Sequence, residues 1–132
     1  MYILNTDILL DVLRGRKQAI DWFSSLTEVP SIHESVFQEL MEIANNQQQV
    51  HQMFQLIAPL PMIWPTKEES DKSSSYYHQY SSNGLGVIDA GIVCCAVERS
   101  ATLCTLDVKF YQCVPNLKVI KPYGRSSTQK SK

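Results

Sequence analysis

The sequence opens with MYILNTDILLDVLRG at positions 1–15, and these residues carry its clearest structural pattern. Tyr2-Ile3-Leu4 is a short apolar run, and the polar residues Asn5-Thr6-Asp7 end it. From Ile8 to Leu13 the apolar residues recur at helical spacing. The stretch therefore predicts a strand, a cap and a helix in immediate succession.

Strand and helix patterns alternate along the rest of the chain. Apolar residues at helical spacing predict helices over 19–27, 34–44 and 50–57. The almost wholly apolar run 87–97 predicts a helix buried on most sides, and 108–111 is predicted to be a helical turn. Short apolar runs predict strands at 30–32, 59–65, 101–105 and 117–120, the second of them confined by its prolines. The polar segment 67–80 is amphipathic at best, and 81–86 is predicted to be a loop. This alternation predicts an α/β domain in which helices cover both faces of a parallel sheet.

Composition limits the chain to one compact domain. It has 132 residues with 44% hydrophobic and 19% charged side chains, and we expect one domain over 1–123 and a disordered, serine-rich basic tail over 124–132. No targeting segment or membrane-spanning apolar run stands out, which favours the cytoplasm. The four cysteines lack zinc or disulfide spacing and are interpreted as free thiols. A net charge of −1 argues against bulk electrostatic coating of nucleic acid.

Three acidic residues lie in apolar surroundings or at strand ends. Asp89 is the only acidic or basic residue between Leu85 and Val97, Glu39 borders the apolar stripe of its predicted helix, and Asp107 follows a predicted strand. Helix capping is the ordinary role of Asp89 and Asp107, and a solvated salt bridge is that of Glu39. These ordinary roles remain open at this point.

The positions of these acids relative to a parallel sheet suggest a shared site. The Asn5/Asp7 pair and Asp107 follow strands, whereas Glu39 and Asp89 open helices, and ligands of open α/β sheets bind at the carboxyl ends of the strands. Gathered carboxylates repel one another unless a cation compensates them, and oxygen ligands favour Mg²⁺ or Mn²⁺ over zinc. A metal-activated water that hydrolyses a phosphodiester is the chemistry these residues allow.

The motifs resemble those of PIN-domain nucleases, in particular VapC-type toxins of bacterial toxin–antitoxin pairs. The resemblance runs in order through Met1–Gly15, Glu39-Leu40, Gly84–Ala90, Ala101–Tyr111 and Val114–Ile120, and it covers nearly the whole chain up to Tyr123. It implies a three-layer PIN-like fold with a central parallel sheet flanked by helices.

The resemblance also implies a set of site residues. The family's second, third and fourth acids fall on Glu39, Asp89 and Asp107, while Thr6 and Asp7 fall on polar positions of the same site. The first acid falls on Asn5, whose amide offers a neutral oxygen and no charge. Asn5 either marks an attenuated or inactive paralogue or is an introduced change, and the sequence is compatible with both. A weaker metal site is expected in either case.

By this resemblance the chain is expected to be a Mg²⁺- or Mn²⁺-dependent endoribonuclease, attenuated by Asn5. The implied partners are an RNA substrate, a VapB-like antitoxin that occludes the site, and a second copy in a homodimer. The main alternative is a catalytically inactive PIN-like module that binds RNA or an antitoxin. A phosphoacceptor receiver domain is a third interpretation, but residues 61–65 supply no phosphoacceptor aspartate.

Overall fold

The computed structural model describes residues 1–124, which form a parallel sheet flanked by helices. In chain order the elements are β1 (Tyr2–Leu4), α1 (Thr6–Leu13), α2 (Lys17–Ser25), β2 (Ile32–His33), α3 (Glu34–Ile43), α4 (Gln47–Ile57), β3 (Met62–Ile63), α5 (Lys67–Tyr80), α6 (Val87–Glu98), β4 (Thr102–Cys104), α7 (Val108–Tyr111) and β5 (Lys118–Ile120). A short 3-10 turn over Ser81–Asn83 joins α5 to the loop before α6. The predicted α/β class and the strand–cap–helix opening are confirmed.

The sheet places the ends of β1 and β4 side by side. β4 pairs in parallel with both β1 and β5, and β2 pairs in parallel with β3. The two halves join because Leu4 N donates to Ser31 O at 2.9 Å and Ser31 N donates to Tyr2 O at 2.8 Å. The resulting order β3-β2-β1-β4-β5 leaves the proline-flanked β3 at an edge, as its prolines predict. Residues that follow β1 and β4 therefore emerge next to each other.

The interior of the domain is built from the apolar residues of the central strands and the helices. Ile3, Leu4, Leu103 and Cys104 have no solvent-exposed surface, and burying a side chain of this size stabilises the fold by roughly 1.5–3 kcal/mol. All four cysteines are free thiols, as predicted, with only Cys113 partly exposed. The central strands are thus anchored firmly enough to fix the residues at their ends.

Helix α5 differs most from the sequence-based expectation. It is a regular 14-residue helix, although its sequence is polar nearly throughout. Thr66 and Glu69 form a reciprocal capping box at its start, with hydrogen bonds of 2.9 and 3.0 Å. Arg99, at the end of α6, holds the Glu69 carboxylate through hydrogen bonds of 2.8 and 2.9 Å. Capping and a partly buried ion pair therefore help to stabilise this helix, although its sequence shows no apolar stripe.

Smaller differences occur at helix starts. Helix α4 begins at Gln47 rather than at residue 50, because the Asn46 side chain caps it by accepting from Gln49 N at 2.9 Å. Helix α6 is buried along most of its length, but Val87 and Ile88 in its first turn are 68% and 55% exposed. The exposed first turn of α6 forms one wall of the site described below.

Two expectations concern the chain end and membranes. The predicted disordered tail begins at Gly124 and otherwise lies outside the described residues, so the boundary at 123 stays a prediction. Within residues 1–124 no helix combines the length and apolar character needed to cross a membrane.

Candidate active site

Three of the predicted site residues line one cleft of about 390 Å³. Asn5 enters it from the end of β1, Glu39 from the middle of α3 and Asp89 from the first turn of α6. Gly86, Val87, Ile88 and Ile92 complete the lining. The fold thus brings together residues that are 34 to 84 positions apart in the sequence.

Asn5 is held by hydrogen bonds at both ends of its amide. Its Oδ1 accepts from Thr6 N at 3.0 Å, which caps α1, and its Nδ2 donates to the Tyr111 hydroxyl at 2.9 Å. A longer contact of 3.5 Å joins the same Nδ2 to Thr105 Oγ1. Asn5 therefore links the start of α1 to the segment that follows β4.

Tyr111 connects Asn5 to Asp89. Its side chain is 3% exposed, and its hydroxyl donates to Asp89 Oδ1 across 3.4 Å while accepting from Asn5. Burial, and secondly the negative charge of Asp89, raise the pKa of Tyr111 well above its ordinary value, so the phenol stays protonated. Tyr111 can therefore orient one oxygen of the Asp89 carboxylate.

Both carboxylates in the cleft are positioned by neutral hydrogen-bond donors. Gly86 N donates to Asp89 Oδ2 at 3.1 Å, which confirms the capping role open to Asp89 and leaves the carboxylate facing the cleft. The Thr6 hydroxyl donates to Glu39 Oε1, so Thr6 positions the glutamate rather than lining the cleft itself. Each carboxylate has further lone pairs available for a ligand.

Asp7 and Asp107 are directed elsewhere. Asp7 Oδ2 accepts from Thr105 Oγ1 at 2.9 Å and from Leu106 N at 2.8 Å, so it ties α1 to the loop after β4. Burial raises the pKa of Asp7 against the lowering effect of these hydrogen bonds. Asp107 is exposed and lines a separate cleft of about 510 Å³ together with Lys109 and Lys121. Neither residue lines the cleft that contains Asn5.

The charge of the cleft suits a hard cation. Its lining carries two carboxylates and, among the residues that the structure describes, no basic side chain. Over the same residues no group of three or more histidine, cysteine, aspartate or glutamate side chains is placed to hold a metal. Mg²⁺ commonly binds through one or two carboxylates and takes its other ligands from water and substrate phosphate. Glu39 and Asp89 therefore fit such an ion, with Asn5 in the lining of the same cleft.

A family model described as "PIN domain" matches residues 2–113 of the chain. This protein belongs to the PIN domain family. The match spans every element from β1 to α7, so it includes all three residues that line the cleft. None of the curated protein sequences matches the chain.

Solved structures of toxin–antitoxin complexes share the fold of this PIN domain. A chain of a toxin–antitoxin complex from Klebsiella pneumoniae superposes with a TM-score of 0.80 at 22% identity, covering 95% of this chain and 100% of that one. VapBC2 from Rickettsia felis, bound to a promoter DNA fragment, gives 0.78 at 20% identity, with 90% and 96% covered. VapBC-1 from nontypeable Haemophilus influenzae gives 0.75 at 21% identity, with 92% and 97% covered. The three-layer PIN-like architecture expected from the sequence is thereby confirmed.

Two site residues were not singled out from the sequence of this PIN domain. Thr105 is fully buried, and its hydroxyl donates to Asp7 and accepts from Asp107 N at 3.2 Å. Its position after β4 is a usable signal, because a hydroxyl at the end of a central strand points toward the ligand crevice. Tyr111 gives no such signal, since helical spacing identifies it only as a buried aromatic residue.

Proposed function

We propose that this PIN domain is a metal-dependent endoribonuclease of the VapC type, with its metal affinity reduced by Asn5. The observation that carries this proposal is the convergence of Glu39 and Asp89 beside Asn5 in a cleft that no basic residue of the described range 1–124 lines. Family membership supports the reaction class, because the matched region contains the whole cleft.

The proposed metal is Mg²⁺ or Mn²⁺, held by Glu39 and Asp89. When bound, such an ion lowers the pKa of a water and neutralises charge that develops on the phosphodiester. The residues of the chain supply the remaining requirements. Thr6 and Gly86 fix the two carboxylates by donating hydrogen bonds to them, and Tyr111 orients the second Asp89 oxygen. Asp7 and Asp107 are the other residues expected to bind metal. Because neither lines the cleft, neither has a metal-binding role in this proposal.

The proposed partners are an RNA substrate, a VapB-like antitoxin and a second copy of the chain. Support for the antitoxin comes from the structural relatives, several of which are VapBC complexes. We further propose that the protein acts in the cytoplasm, where an RNA substrate and an antitoxin would both be available.

A catalytically inactive binding module is the second candidate function. It is favoured by one observation, the neutral Asn5 amide whose oxygen and nitrogen are both engaged within the protein. Asn5 contributes no negative charge, so the cleft has one charge fewer than the family pattern. This module would bind RNA or an antitoxin without cleaving RNA.

RNA cleavage measured across a metal titration tests the two candidates. We expect the chain to cleave single-stranded RNA in millimolar Mn²⁺ or Mg²⁺, the Asn5→Asp form to do so at lower metal concentration, and Asp89→Ala to be inactive. Glu42→Gln is the matched control, because Glu42 is an exposed acid on α3 that does not line the cleft. If neither the chain nor the Asn5→Asp form cleaves RNA at saturating metal, the binding module is the better description.

A further inference from the structure

A second, smaller pocket lies across the first turn of α6 from the cleft. Its volume is about 160 Å³, and Val87 and Ile88 line both the pocket and the cleft. The opposite side of the pocket is formed by His33 and by Ser70 and Ser73 of α5. We call this space the His33 pocket. The His33 pocket and the cleft are therefore direct neighbours.

His33 lines this pocket and carries a buried hydrogen-bond donor. The side chain is 5% exposed, and its Nδ1 accepts from Ser35 N at 3.1 Å as the cap of α3. Burial lowers the pKa of His33, so the ring is neutral near pH 7. With Nδ1 accepting, the hydrogen lies on Nε2, and Nε2 has no hydrogen-bond partner within residues 1–124. A buried donor of this kind requires an acceptor from a ligand or from water.

The remaining lining restricts what that ligand can be. Ser70 and Ser73 lie about one turn apart on α5 and add hydroxyl groups, that of Ser73 donating to Ser70 O at 2.7 Å, whereas Pro65 and Ile88 add apolar surface. Glu69 also borders the pocket, but Arg99 holds both of its carboxylate oxygens. The pocket therefore has no unpaired charge and suits a small neutral ring with polar edges. Its volume is below the range of about 300–1,000 Å³ for drug-sized ligands.

We propose that the His33 pocket binds one base of the RNA next to the phosphate in the cleft, and that His33 Nε2 reads an acceptor on its edge. This inference rests on the proposed nuclease function for its placement along the substrate. Single-stranded RNA is read by stacking a splayed base against a flat surface and by hydrogen bonds to its edge. The apolar surface of the pocket suits stacking of a base, and its polar groups suit hydrogen bonds to the edge of the base.

Gly91 offers a variant that blocks the pocket without weakening the fold. A Cβ built on Gly91 would lie 3.9 Å from His33 Cε1, an ordinary van der Waals distance, so alanine fits the protein but takes up space that a base needs. Alanine also has a higher helix propensity than glycine in the interior of α6. Ser75→Ala, at an exposed position of α5, is the matched control for this gain in helix propensity.

His33→Asn removes the donor while keeping the helix cap. Asparagine is a favoured N-cap residue and can accept from Ser35 N in place of the imidazole. It lacks the Nε2–H donor of the imidazole. One lost hydrogen bond is expected to weaken the preferred base by roughly 3- to 10-fold and to flatten the preference among the four bases.

The binding test uses the four ribonucleosides, which carry no phosphate that the acidic cleft would repel. NMR titration of the full chain, followed on the His33 ring signals, is expected to show selective binding that Gly91→Ala reduces at least 10-fold and Ser75→Ala leaves unchanged. Absence of any shift at His33, or shifts that Gly91→Ala leaves intact, would overturn the proposal and leave a water-filled pocket. A Gly91→Ala chain that changes its oligomeric state and nothing else would also overturn it, because a second copy would then cover the pocket.

A second measurement separates this inference from the proposed function. The base composition at the cleavage site is determined for the Asn5→Asp form, with and without Gly91→Ala, on a randomised short RNA. Metal-dependent cleavage without base preference in both forms overturns the His33 pocket but keeps the nuclease. Selective nucleoside binding by a chain that cleaves no RNA supports the pocket and overturns the nuclease.

Discussion

Replacing Asn5 with aspartate is the perturbation that tests the cleft most directly. The hydrogen bonds of 2.9 and 3.4 Å through the Tyr111 hydroxyl place the position 5 amide nitrogen within about 6 Å of Asp89 Oδ1. Two negative charges at that separation repel by about 3 kcal/mol at an effective dielectric constant of about 20. Because the cleft is open to solvent, we expect about 1–2 kcal/mol of destabilisation in the metal-free protein.

A divalent cation reverses the sign of this effect. An added unit negative charge about 4 Å from a divalent cation gains about 8 kcal/mol at the same dielectric constant. After the cost of dehydrating the ion, we expect a net gain of about 1.4–2.7 kcal/mol, or about 10- to 100-fold tighter Mg²⁺ or Mn²⁺ binding. The Asn5→Asp form is therefore expected to be less stable than the chain in EDTA and to gain more stability on metal addition.

Thermal unfolding against metal concentration measures both effects in one assay, and it does not depend on RNA cleavage. For a domain of this size a change of 1 kcal/mol shifts the Tm by about 3–5 °C. Glu42→Gln controls for a general effect of acidic charge on α3. Equal metal dependence of the Tm for the chain and the Asn5→Asp form, together with equal stability in EDTA, would refute the reasoning, because position 5 would then not share the field of Glu39 and Asp89.

Three further predictions concern single contacts. Tyr111→Phe removes the acceptor of the Asn5 amide, and we expect a loss of about 1–2 kcal/mol in urea unfolding; no change would mean that water replaces the hydroxyl. Arg99 lowers the pKa of Glu69 to about 2 from its ordinary 4.5, so this carboxylate stabilises the fold fully above pH 4.5 and its contribution disappears as the pH falls toward 2. Because Arg99 is partly exposed, we expect Glu69→Gln to remove about 1–2 kcal/mol of this acid-dependent loss of stability. Measuring Tm across an acid titration tests this, and the same acid dependence of Tm in the variant would contradict the pairing. A thiol reagent should modify Cys113 first, since burial raises the pKa of the other three cysteines to about 11–12; modification of all four at one rate in folded protein would contradict this.

The fold could be predicted from the sequence wherever an apolar period marks the buried face. The opening strand and helix follow from such periods. The nearly all-apolar run of α6 predicts a buried helix, and the alternation of strands and helices predicts the parallel sheet. Helix α5 could not be predicted in this way. Its stability comes in part from the Thr66 capping box and from the contact of Glu69 with Arg99, 30 residues away, and neither leaves a periodic signal.

The candidate site was only partly predictable for a related reason. Resemblance to the family marked Asn5, Glu39 and Asp89, which the fold brings together in the cleft. It also marked Asp7, whose carboxylate turns to Leu106 N instead, because a position on a helix defines a face but not a hydrogen-bond partner. The same limit hid Tyr111, a core residue by spacing whose hydroxyl alone reaches the site.

The partners of Asn5 also determine when the cleft can form during synthesis. Thr105 and Tyr111 follow Asn5 by 100 and 106 residues, and β1 completes its pairing only when β4 is available. Contacts of such long range close late in folding, and the amino-terminal part of a chain leaves the ribosome first. A nascent chain that ends before residue 111 contains both carboxylates but lacks the hydroxyl that orients Asp89. The complete cleft can therefore assemble only after nearly the whole domain has been synthesised.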